Sequence, residues 1–376
     1  MRIAITADLH LNNSVYGVYD KDMRLPLRTV DALRALEFFV DKSISLKVDR
    51  IVVAGDVFDN HTPSNHVRRM FHRQIQKLVA SNIQVVILTG NHDCCESHHA
   101  LLPSVGWSNL IKIVDTPVVE SRPDYSCIYV PHTADVQSGK TTFPAVTRGV
   151  VKDASKLSHP RILFGHFSVK GAMMNDYKSS DGRSDVSIGD IMSTGADIAF
   201  LGHYHKFQRL EADIPVYYVG SLERHNMTDI SEDRSIMVYD TVSKEVERIP
   251  YTTFRPMKKI NVASYAEAMA DITSEESWNG YIVKLDFSGG RMEYAEIKSR
   301  SSDITREFKA RGGAHIHMAD VKYAEDHDSD TQVETVDQLD IFSMVDKTVA
   351  EDIADPAERA EYIVMFDNLK KSAVAQ

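Results

Sequence analysis

Cysteine is scarce in this chain of 376 residues, with Cys94, Cys95 and Cys127 as its only thiols. Three thiols, two of them adjacent, exclude a disulfide framework and a Cys-rich zinc site. They are expected to serve as small residues in a reducing compartment. Long apolar runs are also lacking, and none approaches the ~20 residues that a membrane helix needs. The opening Met1-Arg2-Ile3-Ala4-Ile5-Thr6 enters a strand-like pattern with no signal-peptide cleavage region. No membrane association is expected, and a cytoplasmic setting is.

Positive charge is lacking too. The formal charge is −11, and residues 325–376 hold fourteen Asp and Glu against four basic side chains, Lys347, Arg359, Lys370 and Lys371. Residues 1–324 are therefore close to neutral. A generic basic surface for nucleic acid is excluded, so any engagement of phosphate has to come from a local feature. What remains is an ordinary globular composition, 43% hydrophobic and 26% charged, long enough for two or three domains.

Five short apolar runs have the length and β-branched content of buried strands: Ile3–Thr6, Ile51–Ala54, Val85–Leu88, Arg161–Phe164 and Ile198–Leu201. Helical stripes lie between the first three. One carries Leu27, Val30, Leu33, Leu36, Phe39 and Val40, the other Val67, Met70, Phe71, Ile75, Leu78 and Val79. This alternation predicts an α/β layered core with parallel connections. Short strands at Phe207–Leu210, Val216–Val219, Ser235–Tyr239 and Glu245–Ile249 are expected to run antiparallel and complete a sheet or sandwich.

Residues 1–251 thus form the first expected domain. Residues 252–324 read as a small α+β domain with strands at Lys259–Val262, Tyr281–Phe287 and Ala314–Lys322. Its helices fall at Tyr265–Ile272 and roughly 301–311. Residues 325–334 are an acidic linker. Residues 335–376 carry two amphipathic helical patterns, the second opened by Asp355-Pro356-Ala357-Glu358 as N-cap, first-turn proline and capping-box acid. A tethered amphipathic pair is expected to dock in a partner groove, with packing back onto its own chain as the alternative.

The chemistry lies just past each of the five runs: Asp8-Leu9-His10, Gly55-Asp56, Gly90-Asn91-His92-Asp93, Gly165-His166 and Gly202-His203-Tyr204-His205. Ligands of open α/β sheets sit beyond the carboxyl ends of the strands, so these side chains are expected at one rim. Carboxylates, imidazoles and an amide oxygen, with no thiolate, suit manganese, iron or similar ions rather than a structural Cys-type zinc site. So many donors exceed one tetrahedral centre and suit two ions, whose pairing clamps the attacking and leaving oxygens of a phosphoryl displacement. Two divalent ions facing Asp8 and Asp56 leave a pocket of about +2, which attracts a phosphodiester.

This series of motifs resembles that of the calcineurin-like metallophosphoesterases. Val53-Ala54-Gly55-Asp56-Val57-Phe58-Asp59 with Thr89-Gly90-Asn91-His92-Asp93 is similar to the SbcD-type nuclease subunits of bacterial and phage DNA repair complexes. The resemblance implies an α/β/β/α core with a small α+β capping domain and a C-terminal helical segment. It also implies two divalent ions per chain, with Mn2+ expected. Asp8, His10, Asp56 and His205 would hold one ion; Asp56, Asn91, His166 and His203 would hold the other, with Asp56 bridging. Metal-activated water would attack the phosphodiester while His92 assists the leaving oxygen, and Asp93 is a candidate to orient His92. Where the eukaryotic and archaeal relatives place a histidine this chain has Asp59, as SbcD-type members do. The implied partners are DNA, an SbcC-like coiled-coil ATPase gripped by residues 335–376, and a second copy through the helix near residues 64–80. The implied location is bacterial or phage-infected host cytoplasm.

Arg68, Arg69, Arg73 and Lys77 are expected on a solvated helix face, Trp107 and Trp278 in cores, and the polar loop from Lys170 to Asp185 near substrate. Two rivals stand beside the nuclease: a free-standing phosphatase or cyclic-nucleotide phosphodiesterase, and a scaffold that has lost catalysis.

Overall fold

A computed structural model of the chain describes residues 1–95, 98–101, 108–149, 151–152, 156–174, 177–178, 186–230, 233–318, 321–322 and 334–335. The chain divides into two compact units, Met1–Met257 and Lys258–Gln376.

The first unit begins with β1 (Arg2–Thr6), α1 (Leu27–Ser45), β2 (Arg50–Ala54), α2 (Asn65–Ala80), β3 (Gln84–Leu88) and β4 (Ile111–Val114). It continues through β5 (Val118–Ser121), β6 (Ser126–Val130), α3 (Phe143–Arg148), β7 (Arg161–His166), α4 (Ile188–Ser193) and β8 (Ile198–Gly202). It ends with β9 (Gln208–Leu210), β10 (Val216–Tyr218), β11 (Arg234–Asp240) and β12 (Val246–Tyr251). Two six-stranded sheets result, in the orders β12-β11-β1-β2-β3-β4 and β9-β10-β8-β7-β6-β5. In the first sheet β1, β2, β3 and β4 run parallel while β11 and β12 are added antiparallel, each to its inner neighbour; in the second β6, β7, β8 and β10 run parallel while β5 and β9 are antiparallel at the edges.

At one strand the chain departs from the expected antiparallel run. β10 runs parallel to β8, with Ala199 opposite Val216, because the hairpin with β9 reverses the chain once more before it reaches the sheet.

Burial on both faces explains why the inner strands read as continuous apolar runs. Side chains alternate: Ala4, Ile51, Val53, Val85 and Ile87 pack under Leu33, Leu36, Phe39 and Val40 of α1 and Phe71 and Leu78 of α2. Ile3, Ile5, Val52 and Leu88 face the opposite way, onto Tyr129, Ile162, Phe164 and Phe200 of the second sheet. Leu163, Ala199 and Leu201 close a third layer with Phe143 and Ile191. The helices thus flank two stacked sheets in α/β/β/α order. Each fully buried side chain of this size contributes about 1.5–3 kcal/mol. Between the sheets, Tyr129, Phe164, Phe200 and Tyr217 stack across neighbouring strands at centroid distances of 5.6, 5.8 and 5.8 Å. Buried Arg50 ties the sheets together, donating to Gln84 and to Glu120 (2.7 Å) and Tyr129 (2.9 Å).

α2 starts where the Ser64 hydroxyl accepts the Val67 N–H. Its outer face bears Arg69, Arg73 and Lys77, and Lys77 reaches Glu37 and Asp41 of α1, which matches a solvated face.

The second unit contains β13 (Met257–Val262), α5 (Tyr265–Ser274), β14 (Ile282–Phe287), α6 (Arg291–Ser299), α7 (Ser301–Ala310) and β15 (His315–Met318). Its sheet has the order β13-β14-β15. α6 was not anticipated, because only Ile297 of that helix is buried and its apolar stripe is correspondingly faint. Trp278 is buried against Ile272 and Phe308, and its indole N–H donates to the Ile272 carbonyl at 2.8 Å, as a core residue.

Val321–Lys322 pairs antiparallel with Glu334–Thr335. Trp107, most of the acidic linker, the two tail helices and most of the loop before Asp185 lie outside the described residues. Among the described residues no helix is long and apolar enough to cross a membrane.

Candidate metal centre

The donors sit where chain geometry is tightest. Asp8, His10, Asp56 and His203 all adopt positive φ, at 52°, 43°, 50° and 98°. Non-glycine residues pay for this conformation, and it concentrates at functional sites. Each turns its side chain inward immediately after leaving its strand. Two glycines make the approach possible. A Cβ on Gly90 would overlap the Asp56 carboxylate and backbone, and one on Gly202 would overlap the Ala54 carbonyl.

The structure brings all eight predicted side chains together. Asp56 is central: its Oδ2 lies 3.7 Å from His10 Nε2 and 3.3 Å from His166 Nε2, while its Oδ1 accepts the His92 backbone N–H at 2.9 Å. On one side stand Asp8, His10 and Asp56, with His205 Nε2 3.2 Å from His10 Nε2. On the other stand Asp56, His166 and His203, and Asn91 Oδ1 lies 3.0 Å from both imidazoles. His166 Nδ1 donates to the Ala54 carbonyl at 2.8 Å, which leaves Nε2 to face the cluster. The Asp8 carboxylate accepts the His203 N–H at 2.9 and 3.1 Å, so one strand end fixes another.

His92 differs from the others in being exposed. Its Nδ1 donates to the Asp59 carbonyl at 2.9 Å, and its ring stands 4.7 Å from that of His10. The Asp59 carboxylate in turn lies 3.3 Å from His10 Nδ1.

Electrostatics of the bare cluster follow from burial and opposed charges. Burial would raise the Asp56 carboxyl, but His166, His10 and His92 outweigh it and hold it well below the usual carboxylate range. Burial raises the Asp8 carboxyl. For His166 the burial penalty is exceeded by Asp56 and Asp8, which lift the imidazole to about 9. Burial and neighbouring His166 push His203 down to about 3. Buried carboxylates and imidazoles crowded this closely are stabilised by a shared cation. The donor set fits two divalent ions, one in each group, with Asp56 common to both.

Three neighbours were missed or misread in the sequence. His225 is buried, its ring centroid 4.6 Å from those of both His10 and His205, and its Nε2 donates to the Asp8 carbonyl at 2.9 Å. A signal existed, since an apolar strand and Gly220 precede it, but four residues intervene after that glycine. The Ala7–Ser221 bridge brings that loop to the end of β1. Asp229 lies 3.8 Å from His205 Nδ1 and accepts the His225 N–H. Asp93 neither is solvated nor orients His92. It is fully buried and accepts the N–H groups of Phe58 and Gly90, both at 2.9 Å, which clamps the Asp56 loop to the Asn91 loop. Burial, followed by the charge of Asp56, raises its carboxyl to about 7.

Solved structures provide comparison. A dimetal phosphatase from Danio rerio is 12% identical, with a TM-score of 0.42 over 67% of this chain and 99% of its own. The protein TT1561 of Thermus thermophilus is 13% identical, with a TM-score of 0.39 over 66% of this chain and 98% of its own. The family model for calcineurin-like phosphoesterases matches residues 1–207. That span covers all five motifs and more than half of the chain, which therefore belongs to the calcineurin-like phosphoesterase family.

Proposed function

We propose that the chain is a two-metal DNA nuclease, the hydrolytic subunit of an SbcC–SbcD-like complex that processes DNA breaks. The supporting observation is a cluster in which Asp56 reaches both donor groups while exposed His92 stands at its edge. The motifs around Asp56 and Asn91, which resemble those of SbcD-type nucleases, supply the preference for DNA.

Asp8, His10, Asp56 and His205 would hold one ion, and Asp56, Asn91, His166 and His203 the other. Bound there, such ions supply Lewis-acid charge that offsets the negative charge developing on the phosphoryl oxygens. The remaining work belongs to the chain. The carbonyl of Asp59 accepts from His92 Nδ1, so this nitrogen keeps its hydrogen. In the doubly protonated ring, His92 Nε2 can then hand its proton to the leaving oxygen, which returns the imidazole to its neutral Nδ1–H form. Ala54 holds His166 in the tautomer whose Nε2 faces the cluster. Asp93 keeps the two loops in register, which fixes Asp56 relative to Asn91.

Chelator-stripped protein reloaded with Mn2+ is expected to degrade labelled DNA faster than it hydrolyses p-nitrophenyl phosphate or cyclic AMP. Faster turnover of either small substrate would replace the nuclease with a free-standing phosphatase or cyclic-nucleotide phosphodiesterase. Residues 335–376 are assigned to the coiled-coil ATPase. Their deletion is expected to spare small-substrate hydrolysis and abolish co-purification with that ATPase; persistence of the complex would refute the assignment.

A further inference from the structure

Cys95 lies outside the machinery described above, yet it is not isolated. One donor atom each from His61, Cys95 and His98 lie within 4.8 Å of one another. His61 comes from the segment between β2 and α2, and its ring centroid is 5.7 Å from that of His98. Cys94 and His99 form an antiparallel bridge. Cys95 and His98 exchange backbone hydrogen bonds of 2.8 and 3.3 Å, which places their side chains at one position along the chain pair. Two separate segments thus deliver a thiol and two imidazoles to one spot.

We propose that His61, Cys95 and His98 form a second, sulfur-containing metal site that takes zinc. Thiolate and imidazole are the donors that select zinc over harder ions, and three protein ligands leave a fourth position for water. Bonds of about 2.3 Å to sulfur and about 2.0–2.1 Å to nitrogen require the donors to close further by side-chain rotation. His61 is half-buried while Cys95 and His98 are exposed, so the ion enters from solvent and exchanges. The site differs in kind from the seven-donor centre, which contains no sulfur.

Its position gives it a consequence. Asp59 precedes His61 by two residues, and its carbonyl holds His92 Nδ1 while its N–H donates to the Leu11 carbonyl at 2.8 Å. Zinc at His61 would tie that segment to the Cys95–His98 pair and stiffen the support of His92.

The test uses the reduced full-length chain titrated with Co2+, because a thiolate-to-cobalt charge-transfer band reports only a sulfur ligand. With the two-ion centre first filled with Mn2+, the wild type is expected to develop the band, saturating at about one further, thiolate-bound cobalt per chain, and Zn2+ to displace it. Cys95→Ser should abolish it and Cys94→Ser should retain it. Loss of even an outer partner of a metal ligand costs about 10–100-fold in affinity, so His61→Gln and His98→Gln should each weaken cobalt binding by about tenfold or more. Absence of the band in the wild type, its persistence in Cys95→Ser, or its loss in Cys94→Ser would overturn the assignment. Cys95 is exposed, so its serine variant should fold normally. Zinc should also slow amide exchange at residues 59–62 in the wild type and not in Cys95→Ser. Equal slowing in both would remove the clamp from the proposal. Neither readout depends on hydrolysis, so failure here leaves the nuclease reading untouched, and the converse holds.

Discussion

Replacing His92 by alanine is expected to lower DNA hydrolysis by about 100- to 10,000-fold, the range for losing a positioned general acid, while binding of about two divalent ions per chain persists. The separation is possible because His92 touches Asp56 through its backbone N–H, which alanine retains. Its imidazole is bound to a carbonyl and lies at the exposed edge of the cluster. Stability should change by no more than about 0.5 kcal/mol, as for surface substitutions generally. Elemental analysis and thermal unfolding beside the rate measurement decide the matter. Undiminished hydrolysis would take the proton-donating role away from His92, and lost metal would make it a ligand.

Asp56→Asn should behave differently, with loss of metal and turnover together. The substitution keeps the volume and retains an oxygen able to accept the His92 N–H. It places an amide where the buried carboxylate reached both His10 and His166. An amide nitrogen is not a ligand, and the loss of one negative charge raises the cost of two adjacent cations. Stoichiometry is expected to fall from about two ions to fewer than one. Turnover should drop by about 1,000-fold or more, since a metal centre supplies several kcal/mol of transition-state stabilisation. The lift of His166 by Asp56 should vanish as well, and its imidazole should titrate below about 9 in the stripped protein. A variant that still bound two ions would show that Asp56 is not shared.

Much of this architecture was legible because it is local. Ile3–Thr6, Ile51–Ala54 and Val85–Leu88 are β-branched runs bounded by polar residues, and the stripes of α1 and α2 repeat at helical spacing. β4, β5 and β6 escaped notice. Ile111-Lys112-Ile113-Val114 and Val118-Val119-Glu120-Ser121 mix charges into edge strands, where one side of the backbone needs no partner. Lys112 and Glu120 become intelligible only across the strands, where they pair at 3.6 Å beside buried Arg50.

Residue order alone marks the candidate donors and their succession along the chain, because each follows an apolar strand and the carboxyl ends of parallel strands share one rim. How those candidate donors meet and what supports them emerges from packing alone. His225 reaches Asp8 across 217 positions, and Asp93 joins two loops instead of orienting its neighbour. His61 meets Cys95 and His98 from a separate segment. Spacing along a chain carries local preference, whereas these contacts arise from packing two sheets together, and no local preference encodes them.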